Sequence, residues 1–343
     1  MRLLFVKLKH IGDSLLLTPT LSAVRTMYPD SEIWVVVRRG CEGILRGCPA
    51  IDNLLTAAAP EASNRSRLNW WHDFKTVRRL RRWHFDYAFE LTDGDRGRWI
   101  AALSGARVRC ANGAGRALNW WWKRQFNCIS QFQWQGRHRA EKDFLTVADA
   151  LPLKGEVPPM IFARHLARAW PPAGGLSNYA VIHPGTRWRR KRWPKDKWIE
   201  LGRHLLDRFS KVIISAGPDA AEVALAGELQ AILGPNVLST AGQTSWEQLA
   251  GLLHGAKLFV GVDTAAMHLA AACQCPTVAI FGPSNPAEWR PWKVAHRLVR
   301  PGGIVISGSG PANGNTRAGA TTQDILVASV VRACEELLHA TQC

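Results

Sequence analysis

Several absences narrow the field before any motif is considered. None of the eight cysteines forms a C-x-x-C pair or has histidines in register, which argues against zinc. Cys273 and Cys275 lie too close along the chain for an ordinary disulfide, so free thiols in a reducing compartment account best for the set. No run approaches the roughly 18 apolar residues that read as a membrane span. The opening MRLLFVKLKH is broken by Lys7 and Lys9 and does not make a signal peptide. The chain is therefore expected to stay in the cytoplasm, touching a membrane at most. G-x-G-x-x-G does not follow the first apolar run, where only Gly12 stands, and no Walker A motif is present, which counts against dehydrogenases and P-loop enzymes. Acid is also scarce: 27 Asp and Glu against 44 Lys and Arg leave a net charge of +17. Such a balance disfavours basic partners and favours nucleic acid, phosphorylated metabolites or an anionic membrane face.

What is present is an alternation of apolar runs and helical patterns over 343 residues, a length that suits two domains. Leu3–Lys7, Ile33–Val37, Asp86–Leu91 and, more weakly, Arg107–Cys110 read as strands, with a helix from Leu15 to Met27. Continuous β-branched and aromatic runs are typical of parallel strands covered on both faces. Residues 112–136, rich in Trp, Asn and Gln, read as a long loop, and a helix follows over 141–150. Proline and glycine between 160 and 176 mark a domain boundary. The alternation then restarts: strands at 179–182, 211–215, 258–260 and 277–281, helices at 198–209, 222–232, 246–253 and 264–272, and a loop over 302–316. The expected organisation is a first domain over 1–165, a second over 176–320, and a C-terminal segment, 321–343, whose amphipathic helix packs back toward the first domain. Two doubly wound domains leave a cleft, and ligands in such folds bind beyond the carboxyl ends of the strands.

Four constellations follow strands. Asp263 and Thr264 lead into a small-residue helix containing Ala265 and His268. This is either an anion site of free N–H groups or an ordinary capped helix with His268 in the core. Thr186 begins a dense basic loop with Lys191 and Arg192, able to neutralise a diphosphate and the charge that grows on it as it leaves. Asp13 stands at a helix start, as an N-cap or as a general base. Glu222 opens another helix, either holding ribose hydroxyls or simply solvated. Separately, basic residues from Arg65 to Arg82 are interleaved with Trp70, Trp71 and Trp83, a surface that suits bases, sugars, an anionic acceptor or an anionic membrane.

The segments FVKLKHIGDSLLLTPTL, HPGTRWRRKRWPKDKW and FVGVDTAAMHLAAA with PTVAIFGPS resemble the lipopolysaccharide heptosyltransferases, glycosyltransferase family 9, over nearly the whole length. The resemblance implies a GT-B architecture: an α/β fold of two Rossmann-like doubly wound domains facing each other across a cleft. It implies inverting transfer of a heptose from ADP-L-glycero-β-D-manno-heptose to the inner core of lipopolysaccharide. By resemblance Asp13 is the catalytic base, and Lys191 sits at the donor diphosphate with Thr186 in the same loop. Glu222 lies at the adenosine ribose, and Asp263, Thr264, Ala265 and His268 surround the diphosphate and sugar. The family pattern commonly has glycine where this chain has Ala265. The phrase FDYAFELTDGDRGRW is most similar to the branch that adds the third, side-branch heptose.

The expected cycle needs no metal and no cofactor besides the donor substrate, since basic side chains and helix N–H groups carry the diphosphate charge. The expected acceptor is a lipid-linked, phosphorylated core oligosaccharide, and the expected place of work is the cytoplasmic face of the inner membrane, with peripheral attachment. Two rivals remain: the same fold with another nucleotide-sugar donor or acceptor, and a basic, non-catalytic nucleic-acid-binding protein, suggested by the charge and the 16 tryptophans.

Overall fold

The computed structural model describes residues 1–58, 67–114, 117–302, 304–307 and 321–342. They form two compact units, Met1–Met160 and Ile161–Cys343. Arg65 and most of the loop expected over 302–316 lie outside the described residues.

The first unit holds strands β1 (Arg2–Lys7), β2 (Glu32–Arg38), β3 (Asn53–Ala57), β4 (Tyr87–Glu90), β5 (Val108–Asn112) and β6 (Cys128–Ser130). All pair in parallel, in the order β3-β2-β1-β4-β5-β6. The buried runs LLFVK and IWVVV need cover on both faces, which a parallel sheet with crossover helices provides. Leu4, Val6, Trp34, Val36 and Ala88 face one side and pack under the helices Arg67–Arg81, Asp95–Leu103 and Trp120–Gln125 through Leu80, Ile100 and Trp122.

The second unit holds β7 (Tyr179–His183), β8 (Lys211–Ile214), β9 (Val237–Ser239), β10 (Leu258–Val262), β11 (Thr277–Ile280), β12 (His296–Arg300) and β13 (Ile304–Ser307). Its order is β13-β12-β11-β10-β7-β8-β9, parallel except for β13, which runs antiparallel to β12. Each unit thus carries a doubly wound core whose winding reverses at its first strand, between β1 and β4 in one and between β7 and β10 in the other.

The structure departs from the sequence reading in several places, one of them strand β13, which falls inside the loop expected over 302–316. The helix expected from Leu15 is two helices, Ile11–Leu15 and Thr18–Met27. Pro19 has no N–H to give Leu15, so the ladder breaks there, and the Thr18 hydroxyl donates to the Leu15 carbonyl at 2.8 Å instead. The loop expected over 112–136 contains the helix Trp120–Gln125 and strand β6. Asn119 caps that helix by accepting from Trp122 N–H at 2.9 Å, and Trp122 and Phe126 fill the core. The first unit ends at Met160, the near edge of the 160–176 stretch. Phe162 is already buried in the second unit, its N–H bonded to the Ala272 carbonyl at 3.1 Å. Finally, the C-terminal helix Val327–Gln342 buries its apolar stripe (Val330, Ala333, Cys334 and Leu337) in the core of the second unit itself, with Trp198 and Leu201. The same stripe lies against β11, β12 and the helix Lys195–Leu206.

Candidate active site

In the second unit the expected residues gather at the carboxyl ends of β7, β8 and β10. Strand β7 runs out at His183 into Pro184, Gly185 and the buried Thr186. Trp193 anchors the far side of the basic loop: its ring lies edge-on to Trp198 at 5.0 Å, and its indole N–H donates to the Ile325 carbonyl at 3.0 Å. Between these fixed ends Arg187, Arg189 and Arg190 are exposed, while Lys191 turns inward. The Lys191 ammonium donates to Asp263 Oδ2 at 2.5 Å. Asp263 sits just past β10, alongside β7 in the sheet, so two motifs 72 positions apart meet in one ion pair. Arg192 is exposed and donates from Nε to the Thr186 carbonyl at 3.4 Å, closing the loop on itself.

The helix Ala265–Ala272 starts two residues after Asp263. Thr264 occupies its N-cap position but makes no side-chain cap bond, and its buried hydroxyl oxygen has no partner. The Thr264 side chain thus leaves the N–H groups of the first turn without a cap bond, and Ala265 presents only a methyl group there. His268, one turn on, is buried beside the Trp289 ring. His268 is thus an interior residue, and the Thr264 side chain does not cap the helix.

Glu222 stands in the first turn of the helix Ala220–Leu233, which Asp219 caps. Its Oε2 accepts the Gly217 N–H at 2.9 Å. A Cβ on Gly185 would collide with the Glu222 side chain, so a larger residue there has to displace that carboxylate. Below, His183 shares a 2.8 Å hydrogen bond with the Ser215 hydroxyl, and burial pushes its pKa down to about 4, keeping the imidazole neutral near pH 7.

In the first unit Asp13 lies at the third position of the helix Ile11–Leu15, half-buried. It is not the N-cap; His10 is, and Asp13 Oδ2 reaches back to accept the His10 N–H at 3.3 Å. Close by is a charge network that the sequence reading missed. Buried Lys7, at the end of β1, donates to both oxygens of buried Asp143 at 2.8 and 2.7 Å. The adjacent Lys142 pairs with Asp93, which follows β4 in a left-handed conformation with φ 58°. Burial works against the Lys7 charge, but Asp143, Asp13 and Asp93 outweigh it and hold its pKa above the ordinary lysine value. Thr92 ties the two strand ends together, its hydroxyl accepting the Leu8 N–H at 2.8 Å. Glu90 accepts the Thr92 N–H at 2.8 Å, and burial, helped by Asp93, pushes its pKa up to about 7. The available signal was Lys7 itself, a charge that directly follows the buried apolar run Leu3–Val6.

Among the described residues, no group of three or more His, Cys, Asp or Glu is placed to hold a metal ion. The seven described cysteines are free.

Residues 74–302 match the model of Glycosyltransferase family 9 (heptosyltransferase). The chain belongs to glycosyltransferase family 9. It is 30% identical to lipopolysaccharide heptosyltransferase 3 of Escherichia coli, over 82% of this chain and 83% of that protein. It is also 30% identical to lipopolysaccharide heptosyltransferase 1 of Pseudomonas aeruginosa, over 83% of this chain and 80% of that one. Among solved structures, the E. coli heptosyltransferase WaaC with ADP superposes with a TM-score of 0.80 at 20% identity, covering 98% of this chain and all of that one (100%). The paired Rossmann-like units are therefore the GT-B fold of family 9, and the protein is a glycosyltransferase. The family match spans the Lys191 loop, Glu222 and the Asp263–His268 stretch, and it begins after Asp13.

Proposed function

We propose that this family 9 enzyme transfers a heptose from ADP-L-glycero-β-D-manno-heptose to the inner core of lipopolysaccharide, with inversion at the anomeric carbon. The observation that carries the reading is the meeting of Lys191 with Asp263 beside a helix start that the Thr264 side chain does not cap: a cation and first-turn N–H groups at one strand end. That is an environment for a diphosphate. The names of the relatives, and the ADP held by the E. coli structure, support the choice of donor.

In this reading Lys191, Arg192 and the first turn after Thr264 hold the diphosphate, with Thr186 shaping the loop. Ala265 allows close approach, His268 backs the sugar, and Glu222 bonds the ribose hydroxyls. Asp263 keeps Lys191 aimed. Asp13 takes the proton from the acceptor hydroxyl as its oxygen attacks the anomeric carbon from the face opposite ADP. The bond from that carbon to the phosphate oxygen breaks, and its electron pair leaves with ADP, where the basic groups stabilise it. These groups supply the positive field without a metal ion.

The acceptor in this proposal is a lipid-linked, phosphorylated core oligosaccharide, and the addition is that of the third, side-branch heptose, in line with the E. coli relative's name. The enzyme works at the cytoplasmic face of the inner membrane, held peripherally by its basic first unit; no helix among the described residues is long and apolar enough to cross a membrane. The test is mass spectrometry of truncated core acceptors incubated with ADP-heptose. A single added heptose with release of ADP supports the reading. Transfer from a different nucleotide sugar, or none to any core acceptor, overturns it.

A further inference from the structure

We infer that one outward helical face of the first unit is a bilayer-docking surface that inserts aromatic side chains as well as meeting anionic headgroups. The three helices Arg67–Arg81, Asp95–Leu103 and Trp120–Gln125 cover the same side of the first sheet, burying Leu80, Ile100 and Trp122 against it. They are contiguous: the first two pack on each other, and the Trp99 and Trp121 rings join the last two at 4.7 Å. A soluble surface has no use for large apolar groups in such number, yet Trp71 is 61% exposed, Phe74 57%, Trp99 42% and Trp120 71%. Trp71 and Phe74 stand one helical turn apart, with rings edge-to-face at 5.9 Å, and Lys75 and Arg78 continue the same stripe, both exposed.

Charge decides between possible occupants. Lys75, Arg78, Arg79, Arg81, Lys123 and Arg124 are all exposed on these helices. The two carboxylates in the same segments are neutralised locally, Asp73 by Arg96 at 2.6 Å and Asp95 by Arg98 at 3.2 Å. A second copy of this face would meet its own positive charge. An anionic bilayer meets it with the opposite sign, and its interfacial layer is where tryptophan rings partition while arginine and lysine stems reach back to headgroups. The mixture also sets a property that a purely basic patch lacks. Salt screens the headgroup attraction but leaves the aromatic insertion in place.

This inference rests on the reading that the acceptor is lipid-linked, but its test does not depend on transfer to a lipid. Sedimentation with phosphatidylcholine vesicles, with and without phosphatidylglycerol, measures partitioning of the full chain. Transfer to a soluble truncated core acceptor is assayed in parallel. The wild type is expected to bind the anionic vesicles and to retain part of that binding at about 0.5 M salt, where screening is nearly complete. The triple variant Trp71→Ser, Phe74→Ser, Trp120→Ser is expected to lose binding roughly tenfold or more, and all of the salt-resistant part, while keeping its unfolding temperature and its transfer to the soluble acceptor. Arg78→Glu with Arg79→Glu is expected to remove the preference for anionic vesicles. Equal binding by the triple variant and wild type, equal wild-type binding to neutral and anionic vesicles, or a wild-type dimer that the triple variant dissociates would each overturn the proposal. Failure of transfer to the soluble acceptor by every form, with vesicle binding intact, would count against the functional reading instead.

Discussion

The Lys191 ammonium and the Asp263 carboxylate form a 2.5 Å ion pair that joins the basic loop after β7 to the end of β10. The carboxylate is nearly buried and the lysine about one-fifth exposed (22%), so the cation is fixed at the mouth of the uncapped helix. Preorganisation of this kind is what makes a single charge effective on a developing anion. Lys191→Ala is expected to lower kcat/KM by roughly 10²-fold with only a small change in thermal unfolding. Steady-state kinetics at saturating acceptor, paired with a melting curve, measure both. An unchanged kcat/KM would transfer the role to Arg192.

Glu222 and Gly185 make a second coupled pair. Because a Cβ on Gly185 would collide with Glu222 Oε2, Gly185→Ala is expected to act by displacing the carboxylate. If Glu222 bonds the ribose as proposed, loss of that charge-assisted hydrogen bond should weaken ADP binding about tenfold in either single variant. The double variant Gly185→Ala, Glu222→Ala should be little worse than Glu222→Ala alone, since the collision is gone. Titration calorimetry with ADP decides it: additive losses would mean that Gly185 acts independently of Glu222.

Much of this was legible in the sequence, and the failures share a cause. The long apolar strands β1, β2, β7 and β10 are recognisable because burial on both faces leaves an uninterrupted run. The motifs after them sit at strand ends, where open α/β sheets generally bind ligands. What local pattern does not carry is pairing across the chain. Lys7 and Asp143 are 136 positions apart, and nothing near either one announces the other. The Trp-rich segment misled for a related reason: Trp120 is exposed and Trp122 is core, a distinction set by the sheet beneath rather than by the residue type.

Glu90 offers a pH test of the missed network. Its pKa is raised to about 7 in the fold from an ordinary 4.5, chiefly by burial. A group raised on folding contributes fully below its unfolded pKa and loses that contribution as pH climbs through the folded value. Glu90→Gln keeps an oxygen for the Thr92 N–H but cannot ionise. The variant is therefore expected to gain stability relative to wild type between about pH 4.5 and 8, by up to about 3 kcal/mol. Denaturant unfolding of both proteins across that range measures the difference directly. A difference that does not change with pH would mean that Glu90 does not titrate there.

Asp13 is the residue on which the proposed chemistry turns, and its geometry makes a clean experiment available. The side chain is an acceptor for the His10 N–H, inside the first turn rather than at the cap. Asparagine keeps an oxygen at that place and so preserves the bond, but it cannot take a proton from an attacking hydroxyl. If Asp13 is the base, Asp13→Asn leaves thermal unfolding and ADP binding nearly unchanged while single-turnover transfer falls roughly 10²–10⁴-fold. If Asp13 only completes the helix start, Asn is silent, and Asp13→Ala costs about 1 kcal/mol of stability with little loss of rate. Both donor and acceptor must be saturating, so that a rate change reports the chemical step rather than binding. A fully active Asn variant would rule out Asp13 as the base. Asp93, the left-handed carboxylate that follows β4 and pairs with Lys142, would be the next to replace, since β4 lies directly beside β1 in the sheet.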